Sequence, residues 1–352
     1  MKKRILIVRT DRVGDVVMIT PMIRELRQTF PHAFIATLTR PSNLAIMENN
    51  PHLDVCLTDD LEKNTFWKVV KEIRKYKFTD ALLVLPTERA AYQLFLAGIP
   101  HRIGVGRKIY EVITFMQSVS RNNYIPLRHE ADYCMDLARR LGVKSDNLVP
   151  EIFVTHDEKN QARSFLESKG VKHDDFILVI HTGTKGSAPN WSEEKYLELI
   201  KEIFNHFDMS KIKLFLTALE MSPDFLSSVG EINNMCKTKY QIDSDIVLDV
   251  ASELKSLREL IVFLSEIDLL ICPSTGPLHL ADALNKSCIG LHCRRNVSSA
   301  AHWGILNKVS VNLEVSESAC KKFCSADQHQ CGIESALEVT AVIDAMKQFF
   351  KS

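Results

Sequence analysis

Residues 268–285 read DLLICPSTGPLHLADALN. The apolar run LLIC predicts a buried strand, and the residues that follow predict a turn and then a short helix. Pro277 suits the first position of that helix, where its missing N–H costs no hydrogen bond, and one of residues 274–276 can supply the N-cap. A strand that ends in such a turn presents free backbone N–H groups and the positive end of a helix dipole. This combination is typical of phosphate-binding sites.

The composition is that of an ordinary globular protein. The chain has 352 residues, of which 45% are hydrophobic and 25% charged, and this length favours two domains. The 44 basic residues balance the 44 acidic ones, which argues against a broad nucleic-acid-binding surface. The opening MKKRILIVRT has too short an apolar run for a signal peptide, and no stretch approaches the roughly 20 apolar residues of a membrane span. We therefore expect a cytoplasmic protein whose nine cysteines are reduced.

Strand and helix patterns alternate along the chain. The run RILIVRT at 4–10 predicts a strand that is buried on both faces, and the pattern restarts with FILVIH at 176–181. Repeated units of this kind imply parallel sheets with right-handed crossovers and helices on both faces. The sequence therefore predicts an α/β protein with two Rossmann-like domains. Their expected ranges are 1–155 and 156–334, followed by a helical segment at 335–352 that packs back toward the first domain.

Three unusual turns follow predicted strands, at 11–15, 182–190 and 274–277. In parallel α/β sheets, ligands bind beyond the carboxyl ends of the strands. These turns are therefore the candidate ligand-binding positions of both domains.

The residues at these turns resemble glycosyltransferase family 9, the heptosyltransferases of bacterial lipopolysaccharide core synthesis. The matching segments are ILIVRTDRVGDVVMITPMIRELR, VIHTGT with NWSEEKYLELI, and STGPLHLADAL, with a looser match at CKKFCSADQHQC. The resemblance implies a GT-B fold, in which two Rossmann-like domains face each other across a cleft. It also implies a nucleotide-sugar donor, typically ADP-L-glycero-D-manno-heptose, inversion at the anomeric carbon, and no catalytic metal or other cofactor.

The resemblance assigns Asp15 as the general base that deprotonates the acceptor hydroxyl. An inverting displacement needs one carboxylate facing the acceptor, and the neighbouring Gly14 lets the backbone approach the substrate. The alternative for Asp15 is a first-turn helix residue that the dipole stabilises. The residues expected to bind the donor are Thr182, Gly183, Lys185, Ser274, Thr275, Gly276, Pro277 and His279. Those expected to bind an anionic acceptor are Arg12, Gly14, Arg40, Arg107 and Arg121. For any single arginine, a solvated basic surface is the favoured interpretation.

The chain departs from the family pattern at two positions. Pro189 stands where many members carry a lysine, which leaves Lys185, Arg294 or Arg295 as candidate cations. Ser274 stands where well-studied heptosyltransferases carry an aspartate, so the donor sugar stays open.

The cysteines at the end of the chain suggest a metal site. Cys320, Cys324 and Cys331, with His329 between the last two, invite a zinc interpretation, but no CxxC pair is present. Reduced cysteines packed in a loop are the alternative, and we predict no metal.

The sequence thus predicts an inverting, metal-independent glycosyltransferase that moves heptose from ADP-heptose to a lipopolysaccharide core acceptor. The expected partners are the nucleotide sugar and an anionic glycolipid, with peripheral contact at the inner face of the bacterial inner membrane and no nucleic acid. One alternative is the same fold with another nucleotide sugar or acceptor, and another is a non-catalytic nucleotide-binding homologue. A nicotinamide dehydrogenase is disfavoured, because no GxGxxG motif follows the first strand.

Overall fold

The computed structural model describes residues 2–63, 65–106, 108–218, 221–241, 244–295, 298–324 and 332–350. The chain divides into two compact units, Met1–Phe153 and Val154–Ser352. Among the described residues, no helix combines the length and the apolar composition that crossing a bilayer requires.

The first unit is built on a parallel sheet with the strand order β3-β2-β1-β4-β5-β6. Its strands are β1 (Arg4–Val8), β2 (Phe34–Thr39), β3 (Val55–Thr58), β4 (Asp80–Leu83), β5 (His101–Val105) and β6 (Gln117–Val119). Its helices are α1 (Val13–Val17), α2 (Thr20–Thr29), α3 (Leu44–Met47), α4 (Phe66–Lys75), α5 (Glu88–Leu96), α6 (Ile109–Ile113) and α7 (Glu130–Arg139), with 3₁₀ turns at Pro41–Asn43 and Asn122–Tyr124.

Strand β1 lies in the interior of this sheet, between β2 and β4. Its continuous apolar run suits this position, where both faces of the strand are buried. Leu6 pairs with Ala36 of β2 on one side and with Ala81 of β4 on the other. On one face of the sheet, α4 and α5 pack their apolar residues, including Ile73 and Leu94, against this core. The chain moves from β1 toward β2 on one side of the sheet, and from β4 toward β5 on the other side. Because both connections are right-handed, they place their helices on opposite faces, and α2 therefore covers the second face, where it packs against α7.

The second unit repeats the same topology, with the order β12-β11-β10-β7-β8-β9. Its strands are β7 (Phe176–His181), β8 (Ile212–Thr217), β9 (Val247–Asp249), β10 (Leu269–Pro273), β11 (Ser287–His292) and β12 (Val311–Glu314). Its helices are α8 (His156–Ser168), α9 (Glu193–His206), α10 (Pro223–Tyr240), α11 (Leu257–Leu264), α12 (Gly276–Ala283), α13 (Ala300–Trp303), α14 (Glu317–Phe323), α15 (Ile333–Ala336) and α16 (Val339–Met346), with a 3₁₀ turn at Met209–Lys211.

Both sheets have the doubly wound order of a Rossmann-like fold, as the sequence predicts. The order places a topological switch between β1 and β4 in the first unit and between β7 and β10 in the second. Leu178 of β7 pairs with Leu269 of β10. The turns after these adjacent parallel strands therefore lie at the same edge of the second sheet.

The final helix packs within the second unit. Val339, Val342, Ile343 and Met346 of α16 are spaced to form one apolar stripe, and they join the buried core that includes residues of α9. The expectation that the segment 335–352 also packs toward the first domain stays a prediction.

Candidate active site

The turn after β1 places an arginine inside the first unit and a carboxylate at the start of a helix. Arg9 directly follows the buried strand and is itself only 3% exposed. Arg12 is the N-cap of α1 and has an extended backbone, so Asp15 falls in the first turn of that helix. A negative charge at this position is favoured by the helix dipole.

Arg9 is the centre of a cluster of charged side chains. Its Nη2 lies 2.5 Å from Asp15 Oδ1, its Nε lies 3.0 Å from Asp11 Oδ1, and its Nη1 lies 2.8 Å from Glu130 Oε1. Arg121 binds the same Glu130, with 3.1 Å between Arg121 Nη1 and Glu130 Oε2. We call Arg9, Asp11, Asp15, Arg121 and Glu130 the Arg9 cluster. Because the guanidinium of Arg9 has fixed donor directions, these bonds hold the carboxylate of Asp15 in one orientation.

The environment of Asp15 makes it a suitable proton acceptor. Burial raises the pKa of Asp15 to about 6; Arg9 opposes this shift, while the nearby Asp11 and Glu130 add to it. A carboxylate with a pKa just below neutrality is ionised at pH 7 but binds a proton more readily than an ordinary aspartate. Beside the cluster, burial raises the pKa of Cys134 to about 12, so its thiol stays protonated.

The loop after β7 lies at the carboxyl edge of the second sheet and is held in place by hydrogen bonds. Thr182 N donates to the carbonyl oxygen of Thr217, and Asn190 Nδ2 donates to the carbonyl oxygen of Thr182 at 2.6 Å. The hydroxyl of Tyr196 in turn donates to Asn190 Oδ1 at 2.7 Å. Lys185 has a φ of 47°, a conformation that is uncommon for residues other than glycine.

The turn after β10 meets that loop directly. Thr275 Oγ1 lies 3.1 Å from Ser187 Oγ, so the structure brings the two predicted donor-binding segments of the second unit together. Thr275 is the N-cap of α12, and the helix begins at Gly276. Pro277 is thus the second helical residue rather than the first. Residues 274–277 are partly exposed at this position.

Helix α12 is anchored from behind by a buried carboxylate. Asp282 Oδ2 accepts from Leu306 N at 3.0 Å, and Oδ1 accepts from Asn307 N at 2.9 Å. Burial raises the pKa of Asp282 to about 6, which the two backbone hydrogen bonds partly offset. His279 is also buried, with its ring 5.5 Å from the ring of Trp303. These contacts fix the helix whose N-terminus faces the candidate donor loop.

The sequence between residues 66 and 330 matches glycosyltransferase family 9 (heptosyltransferase). The chain belongs to this family. It is therefore a glycosyltransferase, and its two doubly wound units are those of the GT-B fold.

Individual relatives of this glycosyltransferase agree with that assignment. It is 25% identical over 319 residues to a putative glycosyltransferase of Haemophilus influenzae, and the match covers 88% of each chain. It is 24% identical over 329 residues to the lipopolysaccharide core heptosyltransferase OpsX of the same organism, covering 91% of this chain and 87% of the relative. Among solved structures, Escherichia coli ADP-heptose lipopolysaccharide heptosyltransferase II superposes with a TM-score of 0.74 at 18% identity, covering 99% of this chain and 98% of that one.

The predicted acceptor residues of the glycosyltransferase differ in their surroundings. Arg12 is exposed, and Gly14 is buried in α1 beside Asp15. Arg40 Nε donates to the carbonyl oxygen of Thr10, which ties it to the turn after β1. Arg121 lies in the Arg9 cluster, where Glu130 binds its guanidinium. Arg107 lies outside the described residues.

Arg9 and Glu130 are residues of this site that the sequence did not indicate. Arg9 stands inside RILIVRT and reads as the end of a strand, although an arginine that terminates a buried apolar run is itself a signal. Glu130 lies in the first turn of α7 and carries no motif. Its association with Arg9, 121 positions away, depends on the tertiary structure.

The cysteine-rich segment is only partly described. Within the described residues, no group of His, Cys, Asp or Glu side chains is arranged to hold a metal ion. Cys320 belongs to α14 and Cys324 follows it. His329 and Cys331 lie outside the described residues. Of the alternative cations, Arg294 Nη1 lies 3.4 Å from Glu314 Oε2, in an ion pair within the second unit.

Proposed function

We propose that this glycosyltransferase transfers heptose from ADP-heptose to an anionic lipopolysaccharide core acceptor, with inversion and without a metal. The observation that carries this proposal is the state of Asp15. Arg9 holds its carboxylate in place, and burial raises its pKa to about 6. Family membership supports heptose as the transferred sugar. The name of the Escherichia coli heptosyltransferase II supports ADP-heptose as the donor.

The proposed reaction is a single displacement. The acceptor hydroxyl oxygen forms a bond to the anomeric carbon as the bond from that carbon to the phosphate oxygen breaks. ADP leaves with the electron pair of the broken bond, and Asp15 takes the hydroxyl proton. A base of this kind contributes about 10²- to 10⁴-fold to the rate.

The donor diphosphate is proposed to bind at the joined loops of the second unit. Negative charge develops on the leaving phosphate, so donors that are already in place stabilise it best. The backbone N–H groups at the N-terminus of α12 supply such donors, and the Ser187–Thr275 contact joins this N-terminus to the loop after β7. Thr182, Gly183 and Lys185 belong to the same edge, and Lys185 is the proposed cation in place of the lysine expected at Pro189.

The acceptor is proposed to bind the first unit through charge. Lipopolysaccharide cores carry carboxylate or phosphate groups, which arginine binds by charge-assisted hydrogen bonds. Arg12 is exposed in the same turn as Asp15, and Arg40 is bonded to that turn. We assign these two arginines to acceptor binding, at the inner face of the inner membrane where a lipid-anchored acceptor is presented.

The test of the proposal is Asp15→Asn with ADP-heptose and a core acceptor. The variant should lose at least 100-fold in kcat while the dissociation constant for ADP changes little, because the donor residues belong to the other unit. Wild-type activity should also survive EDTA. A variant that keeps most of its turnover removes Asp15 from the base role, and inhibition by EDTA that a divalent ion reverses contradicts the metal-free mechanism.

A different nucleotide sugar is the second candidate, and Ser274 favours it. The family resemblance leads us to expect an aspartate at this position, and a serine offers the donor sugar a shorter, neutral contact. ADP, UDP, GDP and CMP are compared at one fixed concentration, and a concentration about 100 times the dissociation constant of the true donor nucleotide should stabilise the folded chain by about 2.7 kcal/mol with that nucleotide and by less with the others. Selective stabilisation by ADP supports the heptose donor, whereas a preference for another nucleotide replaces it.

A further inference from the structure

In helix α6 of the first unit, the usual burial of apolar and charged side chains is reversed. Its charged residue, Glu111, is buried, and Glu111 Oε2 accepts a hydrogen bond from Lys108 N at 2.9 Å. Its apolar residues Ile109, Val112 and Ile113 point to solvent instead. A surface helix of a globular protein normally places its apolar stripe on the core. The apolar residues Ile109, Val112 and Ile113 of α6 are therefore not packed on the core of the first unit.

The exposed stripe continues onto neighbouring residues. Phe115 follows α6, and its ring lies 6.4 Å from the ring of Phe95 at the end of α5. We call Phe95, Ile109, Val112, Ile113 and Phe115 the α6 surface. Their exposed fractions run from 39% to 79%. Exposed apolar side chains that adjoin one another in this way mark a site of interaction.

Basic side chains flank the α6 surface. Lys108 is exposed at the N-cap of α6, and Arg74 of α4 donates from its guanidinium to the carbonyl oxygen of Leu96, next to Phe95. Helix α4 packs against α5 and presents Lys68, Lys71, Arg74 and Lys75 to solvent together with the exposed ring of Trp67. Carboxylates here include Glu72, which pairs with Lys75, and Glu88 of α5. Five of these named side chains are basic and two are acidic, so their combined charge is positive.

We propose that the α6 surface inserts its side chains into the interface of an anionic lipid bilayer. Exposed aliphatic and aromatic side chains next to lysines are the combination that binds peripheral proteins to such membranes. A few inserted side chains are enough for this, because anionic lipids add attraction for each nearby cation. A stable contact between two protein chains needs about 20–30 residues from each side, many more than this surface offers.

The location suits the proposed reaction. Helix α6 follows β5, which runs parallel to β1 in the same sheet. The chain therefore enters α6 from the same sheet edge at which Arg9 and Asp15 follow β1. The inference rests on the proposed function in one respect, which is that membrane binding would bring the enzyme to a lipid-anchored acceptor. The binding itself is tested separately, because vesicle binding is measured without donor or acceptor.

The experiment is flotation of the full chain with vesicles of phosphatidylglycerol and phosphatidylcholine at 3:7, compared with phosphatidylcholine alone. The wild-type chain should float with the anionic vesicles only. Val112→Ser combined with Phe115→Ser should weaken binding by about tenfold, because the inserted apolar area is lost. The matched control is Met235→Ser combined with Val309→Ser, which changes exposed apolar residues of the second unit and should bind as wild type.

Charge reversal tests the electrostatic part. Lys71→Glu and Lys108→Glu should each reduce vesicle binding by at least about fivefold at 0.1 M salt, and less at 0.5 M. Lys201→Glu, on an exposed position of α9, is the control for net charge. Circular dichroism and melting temperature should be unchanged in all these variants, since the altered side chains are exposed.

Three results would overturn the inference. They are equal vesicle binding by the two double-serine variants, equal binding to neutral and anionic vesicles, and a wild-type dimer that Val112→Ser with Phe115→Ser converts to a monomer. A transfer assay with an acceptor that lacks acyl chains tests the proposed function separately from membrane binding. In this assay, wild type and the variant Val112→Ser with Phe115→Ser should have the same activity. If the wild type binds anionic vesicles but transfers no heptose, the proposed function is wrong, whereas membrane binding by the α6 surface is still supported.

Discussion

The guanidinium of Arg9 reaches the oxygen Oδ1 of Asp15 at 2.5 Å while it also binds Asp11 and Glu130. One buried cation therefore orients the proposed base and shares its charge with other acids. Carboxylates outnumber guanidinium groups among the described members of the Arg9 cluster. Protonation of Asp15 thus brings the cluster closer to neutrality, which fits a group that accepts a proton during the reaction.

Removing the Arg9 cation should move the pH dependence of transfer. In the wild type, kcat/KM should fall as the pH drops through about 6, because Asp15 becomes protonated. Arg9 lowers the pKa of Asp15 against the larger effect of burial. Arg9→Met should therefore raise that pKa further and shift the acidic limb of the profile to higher pH. The measurement is the profile of kcat/KM between pH 4.5 and 9.

Two variants serve as controls for this shift. Arg9→Lys keeps the positive charge and should leave the limb close to its wild-type position, even if turnover falls because the forked geometry is lost. Arg12→Met removes an exposed arginine of the same turn and should raise the acceptor KM without moving the limb. An unchanged limb in Arg9→Met would mean that Arg9 supports the fold alone.

Asp15→Asn should make the protein more stable at high pH. A folded-state pKa of about 6, above the usual value of an aspartate, means that the folded chain holds this proton more tightly than the unfolded chain. The unfolding free energy due to Asp15 therefore decreases as the pH rises from about 4 to above 6, by at most about 3 kcal/mol. Asparagine avoids this cost, so the melting temperature should rise by about 2–4 °C at pH 8 and not at pH 4.

Asp60→Asn is the matched control in the first unit. A hydrogen bond from Lys63 lowers the pKa of Asp60, so its ionised form is favoured in the folded chain and the substitution should bring no gain at pH 8. Scanning calorimetry at both pH values is the measurement. If Asp15→Asn gave the same change at pH 4 and pH 8, its effect would come from packing rather than from the cost of the buried charge.

The architecture is predictable from the sequence, and so are some residues of the candidate site, for identifiable reasons. Both sheets are visible because buried parallel strands are continuous apolar runs, as in RILIVRT and FILVIH. Asp15 and the turn at 274–277 are recognisable because their motifs are local. The Ser187–Thr275 contact joins turns that follow adjacent strands, so the sheet order alone brings them near each other.

The ion pairs could not be predicted, because partners far apart in the chain are chosen by packing. Acceptor binding by Arg121 stays a prediction, and its ion pair with Glu130 has no signal in the sequence. Likewise, nothing in the motif HEADYC indicates that Glu130 reaches Arg9. The reversed polarity of α6 is hidden for a similar reason, since a helix of five residues is too short for its apolar spacing to show which side faces the sheet.

Asp282→Ala should destabilise the second unit. The substitution leaves the backbone N–H groups of Leu306 and Asn307 without their buried acceptor, at a cost of about 3 kcal/mol. Urea unfolding should show the loss, and ADP should partly restore stability because it binds only the folded chain. Asp249→Ala, at a partly exposed strand end, is the control and should cost less than half as much. Equal losses would show that Asp282 is not a special anchor of α12.

The Ser187–Thr275 contact should matter for the donor rather than for the fold. Both hydroxyls are partly exposed or exposed at the edge of the second sheet, so their removal leaves no buried group without a partner. Ser187→Ala and Thr275→Ala should each raise the donor KM about fivefold, the effect of about 1 kcal/mol from one lost hydrogen bond. The melting temperature should stay within about 1 °C of wild type.

A substitution with the opposite pattern completes this test. Ser256 caps α11 by accepting a hydrogen bond from Glu259 N, so Ser256→Ala should cost about 1 kcal/mol of stability and leave the donor KM unchanged. The double variant Ser187→Ala with Thr275→Ala should raise KM by less than the product of the single effects, because the two hydroxyls share one contact. A double variant whose effect equals that product would mean that the hydroxyls contact the donor independently, and that the joined loops do not act as one donor-binding unit.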